Sequence, residues 1–346
     1  MNKILALFDA NFVSAYLKEK LLPHYPQIEK VREITIKPYK KMVWSETYHV
    51  VVGFDIKADT AYGEEILVPV VCSAHSSEPR ETAYKSLRYL WDNGFANDDF
   101  VIPRPLFFDA HFNANFYRAL EGENLLRFIK DGQIDIALDL SKKSASLFSR
   151  LHGFVQLPSF EYDKRNALIR TVIPGVERSV EEVKQRYGSA LAERIAAIYD
   201  SFVKEEEDLR PRITLSIIHG DAHTENIIRA GEHKVGLIDF TDFSLADRFR
   251  DVGTFLQQSE HKIKVRIGDR NISRECKSIF LSTYLEESGL TLDMGTQARI
   301  NLYYNWTTLR TVVFWLLKHE PMPEKALGSL EALEKNLATP DFRAQD

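Results

Sequence analysis

Residues 215–240 read LSIIHGDAHTENIIRAGEHKVGLIDF, and the changes of character along this stretch decide how the rest of the chain is read. Apolar Ile217 and Ile218 run into His219-Gly220-Asp221, and apolar character returns at Ile227 and Ile228. The pattern predicts a strand, a loop, a short strand, a turn at Ala230-Gly231, and a last strand through Val235, Leu237 and Ile238. Such a loop holds its polar groups outward: Asp221 follows His-Gly, and Asn226 comes five residues later. Asp239 ends the last strand, thirteen residues after Asn226, with Phe240 behind it, and an acidic residue at a strand end faces a cleft. Phosphoryl transfer needs a group to orient the attacking hydroxyl and oxygen ligands to hold magnesium on the nucleotide phosphates. The protein's work there is mostly positioning and charge stabilisation, and an Asp, an Asn and a second Asp meet that need.

Outward from this stretch the two halves of the chain differ in texture. Residues 11–22 carry Phe12, Tyr16, Leu17 and Leu21 at helical spacing, and Pro23 stops the run. From Val31 three strand-like segments follow, REITIKPY, TYHVVVGFDI and EILVPVVCSA, which predict an antiparallel meander. PRETAYKSLRYLWDNGF then places Ala83, Leu87, Leu90 and Trp91 on one helical face, with Gly94 suited to a C-terminal cap. The Pro-punctuated VIPRPLFFD leads into a short strand, ANFYRAL, and a boundary falls near Leu120. Beyond it the chain is mainly helical, as in DLSKKSASLFSRLHGF, LAERIAAIYDSFVKEEEDL and YYNWTTLRTVVFWLLKH, and the last dozen residues read as a polar tail.

A length of 346 residues suits two lobes of unequal size better than one core. The 44% hydrophobic and 27% charged shares are those of a globular protein, and no apolar run approaches the ~20 residues of a membrane helix. ILALF before Asp9 is too short for a signal-peptide core, so a cytoplasmic location is expected. Cys72 and Cys276 have no C-x-x-C spacing, which argues against zinc or a disulfide and for buried thiols in a reducing compartment. A net charge of -5 argues against nucleic acid as a partner.

HGDAHTENII followed by LIDF resembles the paired catalytic and metal motifs of the aminoglycoside phosphotransferase-like family, small-molecule kinases that share their architecture with protein kinases. ADRFRDVGTFL is similar to the family segment in which an aspartate, here Asp251, braces the catalytic loop, and FYRALEGENL resembles the inter-lobe hinge with its Glu-Gly turn. The likeness runs over about residues 30 to 320 in the family's order. It implies a bilobal, protein-kinase-like α+β fold: an N-terminal antiparallel-sheet lobe with a leading helix over 1–118, and a larger, mainly helical catalytic and substrate-binding lobe over 119–346. It implies ATP or GTP as donor, lying between the lobes with its base against hinge backbone at Arg118, Ala119 and Leu120. Asp221 becomes the catalytic aspartate, Asn226 and Asp239 the Mg2+ ligands, and a small-molecule hydroxyl the acceptor.

The chain also departs from the family pattern. The third strand, ILVPVVCSA, lacks the lysine that relatives place against the nucleotide phosphates, although Glu81 stands where that lysine's partner is expected, or is a surface helix residue. The turn between the first two strands, PYKKMVWSETY, is not glycine-rich. Lys40 and Lys41 in that turn, or Lys57 on the second strand, could carry the positive charge; each also reads as a solvated surface lysine. Thr224-Glu225-Asn226 replaces the usual Pro-Gly-Asn, so the loop tip differs. His219 reads as structural, Asp242 as a solvated loop carboxylate, the EEED run from Glu205 as a solvated helix end, and Trp306 and Trp315 as core. These gaps leave open a second reading, a catalytically weak or inactive kinase-like protein that binds a nucleotide or small ligand as a regulator. Against it stands the retention of Asp221, Asn226 and Asp239, since clustered carboxylates without a cation repel one another. A protein kinase is disfavoured by Thr241 after Asp239-Phe240 and by the absence of an A-P-E segment.

Overall fold

The computed structural model describes residues 2–78, 80–96, 99–154, 158–162, 164–172, 174–339 and 342–344. The chain divides into two compact units: one made of Met1–Gly122, Pro158–Tyr162 and Ala230–Thr241, the other of Glu123–Leu157, Asp163–Arg229 and Asp242–Asp346. Asp239 thus belongs to the first unit, and Asp221 and Asn226 to the second.

In the first unit, helix α1 (Ala10–Leu21) precedes strands β1 (Ile28–Val43), β2 (Tyr48–Thr60) and β3 (Glu65–His75). Helix α2 (Arg80–Leu90) follows, then strands β4 (Phe100–Val101), β5 (Arg104–Asp109) and β6 (Ala114–Arg118). The five longer strands form one antiparallel sheet in the order β1-β2-β3-β6-β5. Strand alternation sets its core: Tyr48, Val50, Val52, Phe54, Ile56 and Ala58 on β2 all point inward and are buried. They join Phe116, Leu106 and α1 residues Val13, Leu17 and Leu21, while Phe107 stacks on Phe116 at 4.4 Å. The sequence ended the first strand at Tyr39, but β1 continues to Val43, so Lys40 and Lys41 are strand residues opposite Val51 and Val50, and the turn is shorter. Pairing with the firmly packed β2 carries the edge strand that far.

Farther along the chain, strand β10 (Val235–Leu237) pairs in parallel with β4, and the Leu120 side chain packs over Gly236, its Cδ1 2.5 Å from where a Cβ would lie. Leu120, a hinge residue by sequence, is thereby seated on β10.

The second unit holds the pair β7 (Glu123–Asn124) and β9 (Ile227–Arg229), the pair β8 (Ser216–Ile218) and β11 (Ser244–Ala246), and helices. These are α3 (Leu125–Lys130), α4 (Ile134–His152), α5 (Val176–Tyr187), α6 (Ser189–Leu209), α7 (Phe249–Arg266), α8 (Arg270–Ser288), α9 (Met294–Leu317) and α10 (Pro323–Leu337). Helices α7 and α9 cross at close range: a Cβ on Gly253 would meet Tyr304 N at 2.7 Å. Trp306 is fully buried, as expected, between the guanidinium groups of Arg250 and Arg310, each 5.0 Å from its ring.

Two readings of this unit change. Glu206, inside the acidic run, is buried, and its carboxylate accepts from Ile169 N at 2.8 Å and Tyr303 Oη at 3.1 Å. Of its neighbours only this carboxylate falls on the packed face of α6, and burial pushes its pKa up. The polar tail is docked as well: Asn301 Nδ2 donates to Phe342 O, and buried Lys277 donates to Ala344 O, because these helix side chains need acceptors. Both cysteines are buried and free. Among the described residues no helix is long and apolar enough to cross a membrane.

Candidate active site

The loop from β8 to β9 is held from below by one carboxylate. Asp251, on the first turn of α7 and wholly buried, accepts His219 N at 2.7 Å and Gly220 N at 2.9 Å, the two amides that enter the loop. Its Oδ2 also accepts from His152 Nε2 at 3.0 Å, while His152 Nδ1 faces the Tyr284 hydroxyl at 2.8 Å. Burial alone would raise the Asp251 pKa, but these donors and the histidine charges lower it below the usual value. Gly220 adopts φ +86°, and a Cβ there would come within 2.2 Å of the Asp242 carbonyl oxygen, so only glycine allows the loop its path.

Asp221 emerges from this brace. Its amide donates to His219 Nδ1 at 3.3 Å, the backbone-bonding role expected for His219. Its carbonyl accepts His223 N at 2.9 Å and Asn226 Nδ2 at 2.9 Å, which closes the loop on itself. The Asn226 bond fixes the amide's orientation: with Nδ2 committed to the backbone, Oδ1 is the atom left to face a cation. On the other side the Asp221 carboxylate meets His223 Nε2 at 3.1 Å. Burial opposes its ionisation, yet His223, with Arg310 and His219 beyond, outweighs this and holds the carboxyl well below the usual carboxylate range. The Thr-Glu of the loop tip is used too: Thr224 O accepts from Leu126 N at the start of α3, and Glu225 pairs with Lys262 at 3.4 Å.

Asp239 lies in the first unit with φ +64°; among the described residues Asn113 is the only other non-glycine in that region. A left-handed aspartate just past a strand is a stored strain of the kind that gathers at functional sites. Its Oδ1 accepts from Thr241 Oγ1 at 2.6 Å, and Thr241 in turn accepts from Arg80 Nη1 at 2.7 Å. Of the residues expected at the hinge, Arg118 is in the sheet opposite Val70 and Arg104, and the Ala119 amide donates to Pro69 O at 2.9 Å. Glu81 pairs with Lys85 one turn along the exposed face of α2, the surface alternative. Asp242 is half-buried and accepts from Asn166 Nδ2 at 3.3 Å, so it is an engaged carboxylate and not a solvated one.

The donors present suit magnesium, a hard cation that takes oxygen ligands and keeps several of its waters. Among the described residues no group of three or more His, Cys, Asp or Glu side chains could hold a metal, and an Asn with a separate Asp is the sparser set that metal-nucleotide chemistry uses. A cavity of about 330 Å3 opens in the second unit between α5, α6 and α9, lined by Val176, Tyr199, Val313 and Phe314 with Arg310 at its wall. Arg310 is also the cation whose charge reaches Asp221. His152 and Arg310 had no signal in the sequence, since each acts on a residue distant along the chain, Asp251 and Asp221 respectively.

One unit built on an antiparallel sheet and one mainly helical unit make this a bilobal kinase-like fold. The chain belongs to the phosphotransferase enzyme family, whose model matches residues 68–281. Similar solved structures include the choline kinase LicA from Streptococcus pneumoniae, 14% identical with a TM-score of 0.58 over 94% of this chain and 99% of that one. An ethanolamine kinase from Plasmodium vivax is 15% identical, with a TM-score of 0.59 over 98% of this chain and 91% of that one. The GDP complex of aminoglycoside 2'-phosphotransferase-IIIa is 14% identical, with a TM-score of 0.53 over 93% and 99%. A search of curated proteins gave no match.

Proposed function

We propose that this protein is a small-molecule kinase that transfers the γ-phosphoryl group of ATP or GTP to a hydroxyl of its acceptor. The observation that carries the reading is the brace: a buried Asp251 fixes the His219 and Gly220 amides and so presents Asp221 on a rigid loop, as a positioned catalytic carboxylate requires. In this reading Asp221 orients the acceptor hydroxyl for in-line attack and takes its proton. Asn226, through Oδ1, and Asp239 hold the metal. Magnesium, when bound, neutralises charge on the phosphate oxygens. Backbone groups at Arg118, Ala119 and Leu120 receive the base, with the Ala119 carbonyl available while its amide serves Pro69. The cavity walled by Arg310 takes the acceptor, and its apolar lining suits a compound with an apolar body. The GDP in one structural relative supports GTP as a candidate donor alongside ATP.

The regulatory alternative draws its support from the lysine-free third strand. Thermal stability with ATP or GTP, with and without magnesium, separates the two readings without any guess at the acceptor. A ligand at 100 times its Kd stabilises by about 2.7 kcal/mol, so a magnesium-dependent rise is expected, and it should vanish in Asp239→Asn. Asparagine is the chosen replacement because it tolerates the left-handed backbone at this position. Asp221→Asn should keep the nucleotide response and lose turnover. A wild-type protein unmoved by either nucleotide would refute the proposal.

A further inference from the structure

The third strand of this chain offers no lysine, yet the first unit gathers positive charge around Asp239 by another route. Strands β1, β2 and β3 bring Lys40, His49 and His75 side by side: Lys40 Nζ donates to His49 Nε2 at 3.3 Å. The His49 and His75 rings, directly opposed in register, meet edge to face at 4.8 Å. The His75 ring accepts Ser77 N and Glu78 N at Nδ1 and points Nε2 at the Glu78 carboxylate, 3.4 Å away. Asn113 Nδ2 clamps the carbonyls of His75 and Glu78 at 2.7 and 2.8 Å, which fixes the connection into α2.

At the head of α2 stands Arg80, only 4% exposed. Its fork is shared between Glu78, at 2.8 Å, and Thr241, whose hydroxyl passes the contact on to Asp239. Its Nε has no hydrogen-bond partner, so this buried guanidinium spends part of its donor capacity on nothing within the chain. Lys40, by contrast, is exposed, and its ammonium lies within electrostatic reach of Glu78, Arg80 and Asp239. Burial and the neighbouring cations keep both histidines in the neutral form at pH 7, His49 with a pKa lowered to about 4. The fixed charges are then two cations, Lys40 and Arg80, and two anions, Glu78 and Asp239. The other candidate lysines are occupied elsewhere: Lys41 lies over the Phe8 ring at 4.3 Å, and Lys57 pairs with Glu33 at 2.9 Å.

We infer that Lys40 on β1 replaces the absent third-strand lysine as the residue that contacts the nucleotide's phosphate oxygens, and that Arg80 is its buried positioning partner, holding Asp239 through Thr241. The ion pair expected between a third-strand lysine and a helix glutamate becomes, in this chain, Arg80 with Glu78 at the helix entrance, and the direct phosphate contact moves two strands outward. The inference rests on the nucleotide-dependent reading above, and the test keeps the two apart.

The experiment is equilibrium binding of ATP, GTP and inorganic triphosphate with magnesium, and of adenosine and guanosine without it, to wild type and to Lys40→Met, Lys41→Met, Arg80→Met and Arg80→Lys. Lys40→Met should weaken the preferred nucleotide and triphosphate at least tenfold while leaving the nucleoside and the melting temperature unchanged, and Lys41→Met should change neither. Arg80→Met should shrink the magnesium-dependent part of nucleotide affinity, with Arg80→Lys restoring part of it, a pattern that loss of packing alone does not produce. Triphosphate binding by Lys40→Met within twofold of wild type would overturn the assignment even if Arg80→Met failed to fold. A wild type that binds no nucleotide would overturn the kinase reading and this inference together.

Discussion

Replacing Asp251 by alanine removes the acceptor of three donors at once: the His219 amide at 2.7 Å, the Gly220 amide at 2.9 Å and the His152 ring at 3.0 Å. All three sit where water does not reach, for Asp251 and His152 are buried with side chains 0% exposed. An unsatisfied buried donor costs about 1–3 kcal/mol, so the three together predict a loss of about 3–9 kcal/mol, a large part of a domain's 5–15 kcal/mol. Asp251→Asn keeps one oxygen acceptor but turns an NH2 toward donors, and about half that loss is expected. Acidification should mimic the change. The folded-state pKa of Asp251 is depressed, so its contribution is present above the unfolded carboxylate value, about 4, and is lost as pH falls through the folded value. Wild-type stability should therefore decline below about pH 4 more steeply than that of Asp251→Asn. Urea unfolding at several pH values measures this, and turnover at neutral pH shows whether Asp221 has shifted. A loss under about 1 kcal/mol in the alanine variant, with turnover retained, would refute the idea that one buried carboxylate sets the loop.

Two further predictions concern backbone space and buried charge. Gly220→Ala would drive a Cβ to 2.2 Å from the Asp242 carbonyl at a φ of +86°; about 2–4 kcal/mol of destabilisation and a displaced loop are expected, and near-wild-type stability would mean that the loop relaxes freely. Glu206→Ala strands the Ile169 amide and the Tyr303 hydroxyl, and a loss of about 2–4 kcal/mol in urea is expected, whereas a surface glutamate would give almost none.

What the sequence disclosed and what it hid divide along a physical line. The bracing place of Asp251 came only from the likeness of its segment to the family's, whereas the β8-loop-β9 path and the strand ending at Asp239 were legible because strand periodicity and turn chemistry are local along the chain. Arg80 was not, since its meaning comes from Thr241, 161 residues away, and the same holds for His152 and Asp251, 99 apart. Lys40 was singled out but assigned to a turn, because local pattern does not show how far an edge strand follows its partner. Glu206 misled for the complementary reason: three glutamates in a row look equally solvated until a helix turns one of them toward a tyrosine and an unpaired amide.

The close passage of α7 and α9 at Gly253 bears on how the loop breathes. Asp251 is two residues from that contact, on a helix whose residues from Phe249 through Leu256 are all buried, so the acceptor for the His219 and Gly220 amides is anchored in packed core. Those two amides belong to a loop, where deuterium usually enters quickly, yet their acceptor is held on a packed helix. Their exchange should consequently keep pace with the slowest amides of α7 and α9, which makes this loop a kinetic extension of the hydrophobic core.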